Sequence, residues 1–172
     1  SMNENEADVL IRVAVVVQEM VNPEISGIAF SVNPVSENFN ELVIEAAYGL
    51  GEAIVQGEIT PDHYCIDKRS FDFIEKMPSH QEHGIFRLEN GRNGWKMIDP
   101  EKAGKQKLND AELKKLARMV MDIENLAGFK AKGPGLLFLR GGRTLVLEGA
   151  IQDFGQFGWG QGNGIRLHAA GG

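Results

Sequence analysis

The chain has 172 residues, and its 24 acidic and 18 basic side chains give a formal net charge of −6. A composition of 42% hydrophobic and 24% charged residues is typical of a folded globular domain, since disordered chains contain fewer apolar residues. The acidic balance argues against binding to nucleic acids or anionic membranes, which requires clustered Lys and Arg. The single cysteine, Cys65, excludes an intrachain disulfide and favours a cytoplasmic protein. The longest apolar run, residues 13–17, is far shorter than the roughly 20 residues that cross a bilayer, so no membrane partner is expected.

The N-terminal part of the chain is rich in predicted strands. Residues 11–21 are dense in β-branched side chains and predict a buried strand that ends at an Asn-Pro pair. A second strand over residues 26–32 follows, and the two are expected to pair as a β-hairpin. A third strand over residues 42–46 ends before two glycines, and residues 52–56 predict one helical turn.

The middle of the chain predicts a meander of antiparallel strands. Turn signals separate four short strand candidates, and Asn90-Gly91 is the strongest of these signals. Such a succession of short strands favours a mainly antiparallel sheet. The four candidates are residues 63–67, 71–75, 85–88 and 95–98.

One amphipathic helix is predicted with clear ends. Asn109 can cap its first turn, and Glu112 can reach back to the Asn109 amide as in a capping box. The helix is expected to run from Asp110 to about Leu126, and Gly128 is a natural stop. Its apolar stripe, which predicts packing on a sheet, consists of Leu113, Leu116, Ala117, Val120, Ile123 and Ala127.

A hairpin and a glycine-rich tail are predicted after the helix. Two strands, residues 136–139 and 144–147, are joined by Gly141-Gly142. From Gly149 onward 8 of the last 24 residues are glycine, and no periodic pattern continues. The predicted segments are an expression scar and linker (residues 1–8), a folded lobe (residues 9–148) and a flexible tail (residues 149–172).

Three stretches of sequence indicate the nature of the protein more specifically than its overall composition does. They are residues 13–21 (VAVVVQEMV), residues 26–34 (SGIAFSVNP) and residues 45–52 (EAAYGLGE), the last continuing into residues 57–64 (GEITPDHY). In this order and spacing they resemble the phosphoenolpyruvate synthase family, and more closely the second half of its N-terminal nucleotide-binding domain. Pyruvate phosphate dikinase and rifampin phosphotransferase share that domain. The resemblance covers residues 9–129.

The resemblance implies the C-terminal lobe of an ATP-grasp domain. In that fold ATP lies between two α+β lobes, and a phosphoryl group passes to a histidine on another domain. This lobe is expected to be α+β, with a mainly antiparallel sheet covered by the helix that starts at Asp110. Its expected partners are ATP, the missing N-terminal lobe and the phosphohistidine domain. Binding of ATP to the lone lobe is expected to be weak or absent, because half of the cleft is missing.

The resemblance also places an adenine-binding hinge at Gln18, Glu19 and Met20. There a strand edge offers a backbone carbonyl and amide to the base, and a strand that stops at an Asn-Pro pair leaves such groups unpaired. The alternative is a core strand whose Gln18 and Met20 face opposite sides of the sheet. These three residues are the predicted cofactor-binding residues, and the sequence predicts no catalytic or metal-binding residue.

Magnesium binding is where the sequence departs from the family. The resemblance places the metal ligands on the last two strands, as an Asp-x-Glu pair and a Gln followed by Arg, which would hold magnesium against the ATP phosphates. Residues 133–136 (GPGL) and 147–151 (LEGAI) occupy these positions instead, and Glu148 is the one side chain among them that could bind a metal ion. A single carboxylate is too few, so the chain is expected to be inactive. The family signature is expected to end near Lys132, through a replaced segment or a shifted reading frame that translation of the alternative frames would reveal.

Several polar residues are expected to have structural roles. His63 lies at a strand start, where histidines rarely act as nucleophiles without an orienting partner, and it is not expected to be the phosphorylated histidine. His80 and His83 lack further ligands for zinc and are assigned to a polar loop. A group of lysines before the helix is assigned to a solvated loop, because no aromatic residue accompanies it. That group consists of Lys102, Lys105 and Lys107.

Two functions have support in the sequence, whereas a third, a stand-alone enzyme of another class, has no nucleophile–base pair or metal cluster in the sequence to support it. The first is part of the ATP-binding domain of a phosphoenolpyruvate synthase-like phosphotransferase, which phosphorylates pyruvate or a related acceptor through a phosphohistidine and is inactive as this chain alone. The second is a non-catalytic protein-interaction module derived from the same lobe, which the missing acidic pair favours. A lobe separated from its partner exposes an apolar face, which predicts self-association.

Overall fold

The computed structural model describes residues 22–127, 135–151 and 167–168. These residues form a seven-stranded sheet, a separate two-stranded hairpin and three helices. In chain order the elements are β1 (Ile25–Phe30), β2 (Glu41–Tyr48), α1 (Glu52–Val55), β3 (Asp62–Asp67), β4 (Phe73–Met77), β5 (His83–Arg87), β6 (Asn93–Met97), α2 (Pro100–Ala103), α3 (Asp110–Ala127), β7 (Gly135–Gly141), β8 (Thr144–Ile151) and β9 (Leu167–His168). The large sheet has the strand order β4-β3-β2-β1-β7-β8-β9, and each neighbouring pair is antiparallel.

Helix α3 covers one face of the large sheet. Every third or fourth residue of the helix is apolar, so its buried residues form one stripe that packs against alternate residues of the strands. Removing this stripe and its partners from water supplies the main force that holds the helix on the sheet. The buried helix residues are Leu113, Leu116, Ala117, Val120 and Ile123, and the strand residues that they join include Ile25, Ile44, Tyr64, Phe138 and Leu147.

The start of α3 is the predicted capping box. The Glu112 backbone amide donates to Asn109 Oδ1 at 2.8 Å, and the Asn109 amide donates to Glu112 Oε1 at 3.1 Å. Both bonds satisfy backbone donors that a helix start otherwise leaves unpaired. The prediction of this helix and of its cap is confirmed.

The fold class predicted from the sequence is also confirmed. The structure is α+β, with a mainly antiparallel sheet and one long covering helix, as expected for an ATP-grasp-like lobe. Among the described residues, no helix is both long and apolar enough to cross a membrane.

The predicted hairpin between residues 11–21 and the following strand is wrong. Strand β1 has both edges occupied, by β2 along Ile25–Phe30 and by β7 from Ile25 to Ala29. A strand has only two hydrogen-bonding edges, so no edge of β1 remains for the segment before it. Residues 1–21 themselves lie outside the described residues.

The predicted meander is divided between two sheets. Strand β4 follows β3 in the large sheet, whereas β5 and β6 pair with each other in a separate two-stranded sheet. The Gln81 side chain explains the break, because it accepts from the Tyr48 amide at 2.8 Å and donates to the Tyr48 carbonyl at 3.0 Å. These bonds, with one from the Leu50 amide to the Ile85 carbonyl at 2.7 Å, direct the chain after β4 to the end of β2.

The last hairpin forms with small shifts from the prediction. Gly141 pairs with Thr144, so the turn residues are Gly142 and Arg143, and Gly142 has a φ of +58° that favours glycine. Strand β8 continues to Ile151, and β9 pairs with it. Regular structure therefore continues past the segment boundary predicted at residue 148.

Candidate functional site

The large sheet has two chemically different faces. Residues that alternate with the core residues point away from α3, onto what we call the far face. Five apolar side chains of the far face form a second buried cluster, separate from the core under α3. They are Ile28, Phe30, Val43, Cys65 and Leu137.

Beside this apolar cluster, three polar residues on adjacent strands form what we call the carboxylate–histidine cluster: Glu45 on β2, His63 on β3 and Glu75 on β4. Glu45 and His63 are direct cross-strand partners, and His63 Nδ1 lies 3.7 Å from Glu45 Oε1. The other ring nitrogen, Nε2, lies 3.3 Å from Glu75 Oε2. The side chains of Glu45 and His63 are each 28% exposed, whereas that of Glu75 is 51% exposed.

Burial controls the proton affinities on this face. It raises the pKa of Glu45, and the neighbouring His63 opposes that rise. Burial, together with the charges of Glu41 and Glu75, raises the pKa of the Cys65 thiol to about 12. The thiol therefore stays protonated at neutral pH and is a poor nucleophile.

The geometry limits the chemistry of the carboxylate–histidine cluster. The two carboxylates lie at different ring nitrogens of His63, so they do not converge on one point. Within the part of the chain that the structure describes, no group of three His, Cys, Asp or Glu side chains could hold a metal ion. Each ring nitrogen of His63 faces a carboxylate, so the two glutamates orient the imidazole.

The neighbouring residue of the same motif, Asp62, points to the opposite face and enters a buried network. Its carboxylate accepts from Lys107 Nζ at 2.5 Å, from the Lys107 amide at 3.0 Å and from the Ser79 amide at 2.8 Å. The Tyr64 hydroxyl donates to Asp62 at 2.5 Å, and burial followed by this bond raises the pKa of Tyr64. The Asp62 and Lys107 side chains are both 0% exposed.

This network corrects the assignment of Lys107 to a solvated loop. Lys107 is buried because a carboxylate, a backbone carbonyl and an aromatic ring surround its ammonium group. Besides Asp62, Nζ donates to the Ser79 carbonyl at 3.1 Å and lies 5.1 Å from the centre of the Tyr48 ring. A lysine that satisfies its charge in this way can be buried, although lysine is otherwise almost always exposed.

The two histidines of the predicted polar loop do not form a site. His80 Nε2 lies 3.4 Å from Glu82 Oε1, and both side chains are more than 60% exposed. His83 instead packs against the edge of Trp95, with ring centres 4.9 Å apart. They are engaged with different neighbours. His80 lies in a loop as predicted, whereas the assignment of His83 to that loop is wrong, because His83 begins strand β5.

A cleft of about 440 Å³ at the start of α3 was not expected from the sequence. Lys115, Arg140 and Arg143 bring positive charge to its wall. Arg140 is already neutralised, because Nη1 lies 2.9 Å from Glu24 Oε2 and Nε lies 3.3 Å from Glu112 Oε2 without hydrogen-bond geometry. These ion pairs attach the β7–β8 hairpin to the helix and to the segment before β1.

The last two strands lack the acidic pair that the resemblance implies for magnesium. Strands β7 and β8 carry the sequences GLLFLRG and TLVLEGAI, in which Glu148 is the one carboxylate. Glu148 is half-buried. Magnesium is usually held by one or two carboxylates together with phosphate oxygens and water, and these strands provide at most one such carboxylate. The predicted hinge residues, Gln18, Glu19 and Met20, lie outside the described residues.

Comparison with known proteins places this fold in a family. Residues 3–130 match the model of the pyruvate phosphate dikinase AMP/ATP-binding domain. The chain belongs to this family. The family match ends before β7, so the β7–β8 hairpin lies beyond it.

Curated relatives support the same membership. A probable phosphoenolpyruvate synthase from Methanocaldococcus jannaschii is 40% identical over 118 residues, which is 69% of this chain and 10% of the relative. The phosphoenolpyruvate synthase of Pyrococcus furiosus is 38% identical over 125 residues, 69% of this chain and 15% of the relative. A rifampicin phosphotransferase from Bacillus cereus is 34% identical over 118 residues, 69% of this chain and 13% of the relative. The chain thus spans between a tenth and about a sixth of the length of the curated relatives that it matches.

The structure shows where the residues of two of the sequence motifs, residues 45–52 and 57–64, lie in the lobe. The stretch from Glu45 to Glu52 supplies one partner of the carboxylate–histidine cluster and the glycine turn against β5. At Gly49, where φ is +84°, an added Cβ would overlap the Ile85 carbonyl oxygen. The motif GEITPDHY supplies Asp62 to the buried network and His63 to the far face. Most of these motif residues therefore shape the lobe, and sequence reasoning missed the Lys107 partner because it is 45 residues away from Asp62.

Proposed function

We propose that this chain is part of the ATP-binding domain of a phosphoenolpyruvate synthase-like phosphotransferase. The complete protein would transfer a phosphoryl group from ATP, through a phosphohistidine on another domain, to pyruvate or a related acceptor. The observation that carries the proposal is the family match over residues 3–130, which spans the three sequence motifs. The ATP-grasp architecture and a cytoplasmic location are parts of the same proposal.

Within that function, Gln18, Glu19 and Met20 form the adenine hinge. The other contributions come from outside this chain: the N-terminal lobe supplies basic residues for the phosphates, and the phosphohistidine domain accepts the phosphoryl group. Magnesium serves the parent family, but β7 and β8 do not provide its ligands. The isolated chain therefore binds ATP weakly or not at all, and it does not catalyse phosphoryl transfer.

Calorimetric titration with ATP, with and without magnesium, tests the hinge. The double variant Gln18→Ala, Met20→Gly should abolish any heat of binding that the parent chain shows. The matched control is Gln56→Ala, Met97→Gly, which makes the same substitutions at exposed positions and should bind as the parent does. Equal binding by the hinge variant and the control would refute the assignment of the hinge.

A second candidate function is a protein-interaction module, which exposed apolar side chains on two edge strands favour. Ile74 and Met77 of β4 are 48% and 54% exposed, and Trp95 and Met97 of β6 are 46% and 76% exposed. Strands with unpaired edges and apolar side chains are suited to protein contacts. Light scattering over a dilution series separates the two functions: a mass that falls on dilution supports self-association, and a constant monomer mass contradicts it.

A further inference from the structure

The β5–β6 hairpin contains two Asn-Gly dipeptides in different structural settings. Asn90-Gly91 lies in the loop between the strands, and Asn93-Gly94 begins β6. A third dipeptide, Asn163-Gly164, lies outside the described residues. We propose that Asn90 is a site of spontaneous deamidation in the folded protein and that the hairpin protects Asn93 from the same reaction.

The reaction needs no partner other than water. The amide nitrogen of the glycine loses its proton to water or hydroxide and attacks Cγ of the asparagine. The new N–Cγ bond forms as the Cγ–Nδ2 bond breaks, and the leaving group takes a proton from water and departs as ammonia. One water molecule then opens the cyclic imide, which gives either aspartate or isoaspartate.

The loop setting favours this attack at Asn90. Asn90 and Gly91 are both exposed, Gly91 has a φ of +80°, and the space around its Cα is open, with nothing within 4 Å of where a Cβ would stand. The Gly91 amide donates to the Leu88 carbonyl at 3.0 Å, and the Arg92 amide donates to Asn90 Oδ1 at 2.9 Å. Both bonds lie at the tip of a solvent-exposed loop, where local opening requires little free energy.

The strand setting opposes the attack at Asn93. Asn93 is paired with Arg87, and Gly94 is paired with Phe86 in the antiparallel ladder. The Leu88 side chain lies against Gly94, since Cδ1 is 2.6 Å from where a Cβ on Gly94 would stand. Closing the cyclic imide requires Asn93 to leave the extended conformation, so the end of the hairpin must open first.

The product would change the loop and leave the sheet intact. Isoaspartate adds one carbon atom to the backbone and turns the neutral Asn90 amide into a carboxylate. The bond from Arg92 to the Asn90 side chain depends on the present backbone length, as does the bond of 2.7 Å from the Leu88 amide to the Arg92 carbonyl. Modification would therefore loosen the loop and add a negative charge to the hairpin.

Peptide mapping of the aged folded protein tests the proposal. Trypsin cuts after Arg87, Arg92 and Lys96, so the two dipeptides fall in separate peptides, residues 88–92 and residues 93–96. After incubation at mildly alkaline pH, the rate of deamidation should be at least about tenfold higher in the first peptide than in the second. A tenfold difference corresponds to about 1.4 kcal/mol more free energy for opening the strand at Asn93 than the loop at Asn90. Labelling by an isoaspartate methyltransferase should appear in the same peptide.

Two controls distinguish structural protection from sequence effects. In denaturant the two peptides should deamidate at similar rates, because the loop at Asn90 and the strand at Asn93 are both unfolded. The variant Asn93→Gln should leave the rate at Asn90 unchanged, and a sample digested at time zero corrects for reaction during digestion. Equal rates at the two sites in the folded protein, or no reaction at Asn90, would overturn the proposal.

Discussion

Two regions of the chain build the large sheet. Strands β1 to β4 lie within the family match, and the β7–β8 hairpin lies beyond it. Strand β7 pairs with β1 from Ile25 to Ala29, and its Leu136 and Phe138 enter the same core as the buried stripe of α3. Yet this hairpin carries a single carboxylate, Glu148, in place of the acidic pair that the resemblance implies for magnesium. Strand pairing and burial need only alternating apolar residues, whereas binding magnesium needs particular side chains at particular positions.

The two regions also differ in how they use polar side chains. The family-matched part contains the Asp62–Lys107 network, the Gln81 bonds to Tyr48 and the capping box of α3. Described polar contacts of the hairpin centre on Arg140 and its ion pairs with Glu24 and Glu112. Polar contacts of the family-matched part thus join its own loops, strands and helix, whereas those of Arg140 attach the hairpin to that part.

The largest expected effect tests whether the hairpin is part of the core. Phe138 is fully buried, and its ring covers Gly27 on β1, where an added Cβ would overlap the ring. Phe138→Ala should lower the free energy of unfolding by about 3 to 5 kcal/mol, measured by urea denaturation. Arg143→Ala, at the exposed turn, is the control and should change it by less than about 0.5 kcal/mol. A loss of under about 1 kcal/mol for Phe138→Ala would show that the hairpin does not complete the core.

The next effect concerns the buried ion pair of the family-matched part. Lys107→Met should cost about 3 kcal/mol in denaturation experiments, because it leaves the buried Asp62 carboxylate without its counter-charge. Remaining donors from Tyr64 and Ser79 limit the loss. The control is Lys76→Met, which removes the exposed pair with Asp110 and should cost less than about 1 kcal/mol. Similar costs for the two variants would contradict the special role of the buried pair.

A smaller effect is expected at the start of α3. Asn109→Ala removes the side-chain acceptor of the capping box and should cost about 1 kcal/mol of stability. Asn109→Ser keeps an acceptor and should recover most of that loss when both variants are compared by thermal denaturation. If serine and alanine were equally destabilising, the cap would not be the cause.

The smallest effect is a pH dependence at Glu45. Its folded-state pKa lies above the ordinary value of 4.5 because of burial, so the folded state holds this proton more tightly than the unfolded state does. The stabilising contribution of Glu45 is therefore complete below pH 4.5 and is lost as the pH rises through the raised pKa. Glu45→Gln should remove this part of the pH dependence of the unfolding free energy. Glu89→Gln in the β5–β6 loop is the control, and identical curves for the parent and Glu45→Gln would contradict the prediction.

Local features of the fold were predictable because their determinants lie within a few residues. Asn109 and Glu112 are three residues apart, and the apolar stripe of α3 repeats every third or fourth residue. By contrast, the pairing of β1 with β7 joins residues more than 100 positions apart. No local pattern indicates which of several apolar strands will occupy an edge, so the hairpin predicted for β1 was wrong.

The sequence by itself determined the family, the α+β class, the capped helix and the positions of most strands, because periodicity, turn residues and motifs are local properties of the chain. The tertiary structure alone decided that Lys107 is buried against Asp62, that Gln81 directs the β5–β6 hairpin away from the large sheet, and that Glu45 and Glu75 meet His63 on the far face. These outcomes depend on which distant groups meet, since a charge or an amide can be buried only where a partner satisfies it.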